Sequence, residues 1–85
     1  MPNRSSKARL GEYCLFAELM TGGWWRARVL NSENQPYIWP TLEVPFTSEV
    51  EAQLCAENEA RSDAEHNGSA IPIELAPKWE AAQSA

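Results

Sequence analysis

Between residues 24 and 30 the chain alternates, with Trp25, Ala27 and Val29 on one side and Trp24, Arg26 and Arg28 on the other. A period of two is the side-chain repeat of a β-strand, so this segment is the clearest predicted strand. Residues 13–20 form a nearly continuous apolar run that suits a buried strand or a helix. Their aromatic residues, and the Thr21-Gly22-Gly23 turn that follows, favour a strand. Polar turn-formers fill residues 31–35, and a short strand is expected at 37–39. Pro36 and Pro40 flank it and cannot donate to a ladder, which keeps it at an edge. Leu42, Val44 and Phe46 alternate once more.

At Ser48 the period changes. Ser48 and Glu51 have the spacing of a capping box, and Glu49 and Glu51 suit the positive end of a helix. An Ala- and Glu-rich helix is expected from 48 to 66, stopped by Asn67-Gly68. Val50, Leu54, Ala56, Ala60 and Ala64 lie in one broad arc, strongest in the first two turns, so the helix should pack by its first half. Residues 70–75 would add a last strand, held to an edge by Pro72. The fold class is α+β: a small antiparallel sheet of three to four strands with one acidic helix packed on a face. Residues 1–9 are expected to be a flexible basic arm, 10–77 a single domain and 78–85 a flexible tail.

With 85 residues, the chain makes one domain with a thin core. Its two cysteines, Cys14 and Cys55, are too few for a disulfide-stapled secreted domain. No apolar run resembles a signal peptide or a membrane span. The protein is therefore expected in the cytoplasm, with both thiols reduced and no membrane partner. A homodimer is expected, because a second subunit would supply the core that neither disulfide nor metal provides.

Net charge is −5, concentrated between Glu43 and Glu65, where only Arg61 opposes the carboxylates. Catalysis finds no constellation. Cys55 and the one histidine, His66, fall eleven positions apart in the same predicted helix. At 1.5 Å per residue that is ~16 Å, too far for a nucleophile–base pair. Cys14, Cys55 and His66 also lack the paired short spacing of a zinc site. No catalytic, metal or cofactor residue is expected, and the chain reads as a non-enzyme.

Binding chemistry is better represented. Trp24, Arg26 and Arg28 share the outward face of the best strand, with Tyr37 or Trp39 opposite. Tryptophan beside arginine is the composition of interface hot spots, and of platforms on which bases stack. Glu51, Glu57 and Glu59 form the candidate acidic surface. Locally, Trp24-Trp25-Arg26-Ala27-Arg28 followed by Pro36-Tyr37-Ile38-Trp39-Pro40 resembles the SH3 family's paired tryptophans and later tyrosine–proline motif. That resemblance implies a groove for proline-rich peptides lined by Trp24, Tyr37 and Pro40. The family's first aromatic motif is absent, and a long helix follows where its barrel would close.

Two functions compete on these grounds. The first is a non-catalytic protein-interaction module, such as a stoichiometric inhibitor or adaptor of a phage or mobile element, whose acidic helix mimics a phosphate backbone. The second is a single-stranded nucleic-acid binder using Trp24, Arg26 and Arg28. Seven basic residues against twelve acidic ones weigh against the second, since phosphate neutralisation dominates nucleic-acid affinity.

Overall fold

The computed structural model describes residues 5–31 and 44–81, which build one sheet and one helix. Strands β1 (Ser5–Leu10), β2 (Tyr13–Leu19) and β3 (Trp25–Leu30) precede helix α1 (Glu49–His66), and β4 (Glu80–Ala81) ends the order. The sheet runs β3-β2-β1-β4 with every neighbouring pair antiparallel. This is the expected α+β layout, and among the described residues the sheet does not close on itself as the barrel of the SH3 family does. The apolar run at 13–20 is a strand, as its aromatic content and following turn indicate. A two-residue loop, Gly11-Glu12, joins β1 to β2, and Gly11 takes the positive φ of +60° that so tight a hairpin demands. The strand expected at 37–39, with Tyr37 and Trp39, lies outside the described residues.

One face of the sheet is buried. Ala8, Leu10, Leu15, Ala17, Trp25, Ala27 and Val29 all point to it, each at an alternate position of its strand. α1 lies across β2 and β3 on this face and contributes Ala52, Ala56 and Ala60 to the same cluster. Alanines recurring every four residues make a smooth stripe, and Ala17 and Ala27 meet it with equally small side chains. Helix and sheet therefore approach closely.

This geometry corrects the expected apolar arc. Val50 and Leu54 face solvent, at 60% and 51% exposure, while Ala64 and Asp63 near the other end are buried. The helix packs along its length instead of by its first half alone. Its second half is held by a polar contact that hydrophobic periodicity does not register: the Tyr13 hydroxyl donates to Asp63 Oδ2 at 2.5 Å. Asn67 Nδ2 donates to the same oxygen at 3.0 Å. Tyr13→Phe removes one donor from a buried carboxylate and is expected to lower stability by about 1.5–3 kcal/mol, read as a fall in the urea midpoint. An unchanged midpoint would mean that water replaces the hydroxyl at no cost.

The helix ends follow the sequence closely. Ser48 is the N-cap, with its Oγ accepting from the Glu51 amide at 3.2 Å. The Glu51 carboxylate accepts from the hydroxyls of Thr47 and Ser48, at 2.7 and 3.1 Å. Past the helix, Gly68 takes φ +76° and the Ser69 amide donates back to Ala64 O at 2.8 Å, a C-terminal cap of the kind glycine allows.

Residues 70–75 differ from expectation and form no strand. Their carbonyls are used elsewhere: Arg61 donates to Pro72 O and to Leu75 O, and Ile73 is left 90% exposed. The fourth strand comes from residues 80–81, inside the stretch expected as a flexible tail. It pairs Ser6 with Ala81 and Lys7 with Glu80, and Trp79 packs against the core cluster. β1 likewise takes in residues 5–9 of the expected basic arm. β1 alternates buried and exposed positions in a way its polar composition masks.

Candidate binding surface

The face opposite α1 has no element across it among the described residues. Alternation along the strands places Ser5, Lys7 and Arg9 there from β1, Cys14, Phe16 and Glu18 from β2, and Arg26, Arg28 and Leu30 from β3. The pairing registers align them in rows. Glu80, Lys7, Phe16 and Arg28 form one row across all four strands. Ser5, Glu18 and Arg26 form the row beside it, and Arg9, Cys14 and Leu30 the row on the other side.

Arg26 is engaged by Glu18, with Nη2 at 2.7 Å and Nε at 3.2 Å from one carboxylate oxygen. Arg28 is held differently. Its guanidinium carbon lies 4.8 Å from the centroid of the Phe16 ring, and its Nε stands 3.8 Å from Glu18, beyond hydrogen-bond range. That Nε is buried without a hydrogen-bond partner among the described residues. Lys7 and Arg9 are exposed, and neither makes an ion pair with a described residue.

A cavity of about 500 Å³ opens on this face beside Phe16, lined by Lys7, Ala8, Arg9, Cys14, Phe16, Lys78 and Glu80. Phe16 and Cys14 supply apolar surface, and three cations against one carboxylate supply the charge. Glu80 stands opposite Lys7 in the register but forms no ion pair with it.

Charge is thus segregated through the thickness of the molecule. Four of the seven basic residues, Lys7, Arg9, Arg26 and Arg28, project from the sheet's open face, and Lys78 joins them at the cavity. α1 on the other side carries six carboxylates and the single Arg61. Net charge alone hides this separation.

Of the residues singled out in the sequence, Trp24, Arg26 and Arg28 are half-buried at or beside the outer strand of this face. Trp24 leans on the β2–β3 turn, its indole 3.4 Å from where a Cβ on Gly22 would sit. Tyr37, Trp39 and Pro40 lie outside the described residues. Glu51, Glu57 and Glu59 do not share one face, because at about 100° per residue they spread around the helix. Glu51 is occupied with the cap, and Glu57 accepts from Arg61 at 3.3 Å. Sequence reasoning missed Lys7, Arg9, Phe16 and Lys78. A signal existed for the first two, since Lys7 and Arg9 alternate with Ser6, Ala8 and Leu10.

A second cavity, about 490 Å³, lies between the β1–β2 turn and the chain after α1, lined by Gly11, Tyr13, Asn31, Asn67, Ile71 and Leu75 among others. Cys14 faces the open side, whereas Cys55 packs against the core from α1, so the two cysteines lie on opposite faces of the sheet and share no disulfide. His66 is exposed at the helix end. Among the described residues no group of His, Cys, Asp or Glu could hold a metal ion, and no helix is long and apolar enough to cross a membrane. Comparison with known protein families, with curated proteins and with solved structures finds no match for the chain.

Proposed function

We propose that this chain is a small non-catalytic binding module that takes an anionic partner on its open sheet face. The observation that carries the reading is the excess of cations on that face, Lys7, Arg9, Arg26, Arg28 and Lys78 against Glu18 and Glu80, in a protein of net charge −5. Facing cations away from the acidic helix orients the molecule in the field of a charged partner and raises the rate of productive encounter. Strands also hold their side chains more rigidly than loops do, so the rows across the sheet are preorganised.

Inorganic polyphosphate, a bare polyanion, tests this. Titrated into labelled protein at low salt, it is expected to shift the resonances of Lys7, Arg9, Phe16 and Arg28 and to leave those of Val50 and Leu54 in place. Shifts confined to α1, or none, would refute the open face as the site.

A second reading, a cytoplasmic adaptor or stoichiometric inhibitor of a protein in a phage or mobile element, rests on a different observation. Val50 and Leu54 expose apolar surface one turn apart on the outer side of α1, with acidic residues around them. Such a patch suits a protein partner or a second copy of the chain, giving the expected homodimer. Loss of partner binding on charge reversal at Glu51, Glu57 and Glu59 would favour this version.

A further inference from the structure

We infer that the partner of the open face is a single-stranded nucleic acid, with one base seated in the cavity beside Phe16 and the phosphates on Lys7, Arg9 and Lys78. This rests on the reading that the open face is the binding surface, and it adds what kind of anion binds there. Cations alone would accept any polyanion. The aromatic ring in their midst narrows the choice.

Phe16 sits between two environments. Arg28, from β3, lies over its ring, while the cavity opens toward β1, where Lys7 is its cross-strand partner. A guanidinium against one face of an aromatic ring draws on its π-electrons, so the ring becomes a poorer partner for a second cation. A neutral planar ring system stacks on it without that penalty. An unpaired nucleobase has this form, and base–aromatic stacking is the shared device of proteins that hold single strands. The bases of an intact duplex are already stacked and unavailable to Phe16.

The cations have the right placement for the phosphates. Lys7 and Arg9 lie two residues apart on one strand face, roughly 6.6 Å along β1, close to the step between successive phosphates of a single strand. Lys78 shares the cavity with them, and Cys14 extends the apolar floor. The cavity, about 500 Å³, is open on one side, so a base can enter it from solvent. Carboxylates alone would satisfy the cations but would leave the apolar floor uncovered.

The test compares three probes by fluorescence anisotropy at matched low salt: a labelled oligothymidylate of about twelve nucleotides, the same strand in duplex, and inorganic polyphosphate as competitor. The single strand is expected to bind most tightly. Phe16→Leu, which keeps an apolar side chain without a π-face, should weaken it about fivefold or more, and Phe16→Trp should restore binding. Neither change should alter the inhibition constant of polyphosphate, corrected for the affinity of the probe. Lys7→Gln with Arg9→Gln should reduce the slope of log K against log salt by about 1.4. These are surface substitutions, and circular dichroism with urea midpoints checks that each variant folds.

Oligothymidylate binding that is indifferent to Phe16 would overturn the inference and leave the anionic-partner reading standing. Tighter binding of the duplex would overturn it in the same way. Failure of every polyanion to bind would remove both the inference and the reading beneath it.

Discussion

Ala56→Glu is expected to cut the urea midpoint of the domain by about half, whereas Leu54→Glu, two positions earlier, should leave it nearly unchanged. Ala56 is fully buried between α1 and the sheet, in contact with a cluster that includes Ala17, Ala27 and Leu15. A carboxylate there either stays charged without a partner or takes up a proton, and in both cases the long side chain must push the helix off the sheet. The cost is about 3–5 kcal/mol, a large part of the ~5–10 kcal/mol that holds a domain of this size together. Leu54 is half exposed, and the same substitution there stays within about 0.5 kcal/mol. Two residues along a helix turn through about 200°, so the pair reports directly which side of α1 is buried. Circular dichroism and urea titration of the two variants decide it. Equal losses would place Leu54 in an interface.

That pair also marks the boundary of what the sequence makes legible. The strands at 13–20 and 24–30, the N-cap at Ser48 and the stop at Gly68 follow from local rules, because period, capping and turn geometry are properties of a few neighbouring residues. The face of α1 does not. Size and hydrophobicity rank Val50 and Leu54 above alanine as core residues, so an arc containing them looks like the buried one. The winning stripe is Ala52, Ala56, Ala60 and Ala64, small side chains that fit against a sheet face where Ala17 and Ala27 leave room between Leu15, Trp25 and Val29. That complementarity is tertiary, and nothing local to the helix announces it. Asp63 is a similar case. It reads as one more carboxylate on an acidic helix and is buried because a tyrosine 50 positions away reaches it.

The candidate surface was half legible. Arg26 and Arg28 stand out because their strand carries tryptophan and alternates cleanly. Lys7 and Arg9 were hidden in a segment whose polar composition resembles a disordered arm, although its period is that of β1. The sign of the surface was obscured by summation. A net charge of −5 describes the chain, but a partner meets one face at a time. Only the topology, which sends the carboxylates of α1 to one side and the strand cations to the other, shows that the faces differ.

Trp79→Ala tests how far the site depends on the last strand. β4 has two exposed residues paired to β1, too little to hold itself in register. Its anchor is Trp79, which packs against the core cluster next to the pairing of Glu80 with Lys7. Removing the indole should lower stability by about 1.5–3 kcal/mol through lost apolar burial. It should also release β4, so the amides of β1 that face it exchange with solvent well before the rest of the sheet opens. Hydrogen exchange read residue by residue separates the two effects. The functional consequence follows from position: Lys78 immediately precedes Trp79, and once the strand is free its ammonium no longer borders the cavity. The salt slope for oligothymidylate should then fall by about 0.7, the share of one phosphate contact, with the Phe16 dependence retained. A variant that keeps β1 protection and the full salt slope would show that β4 is held by its ladder alone, and that Lys78 reaches the cavity without the indole behind it.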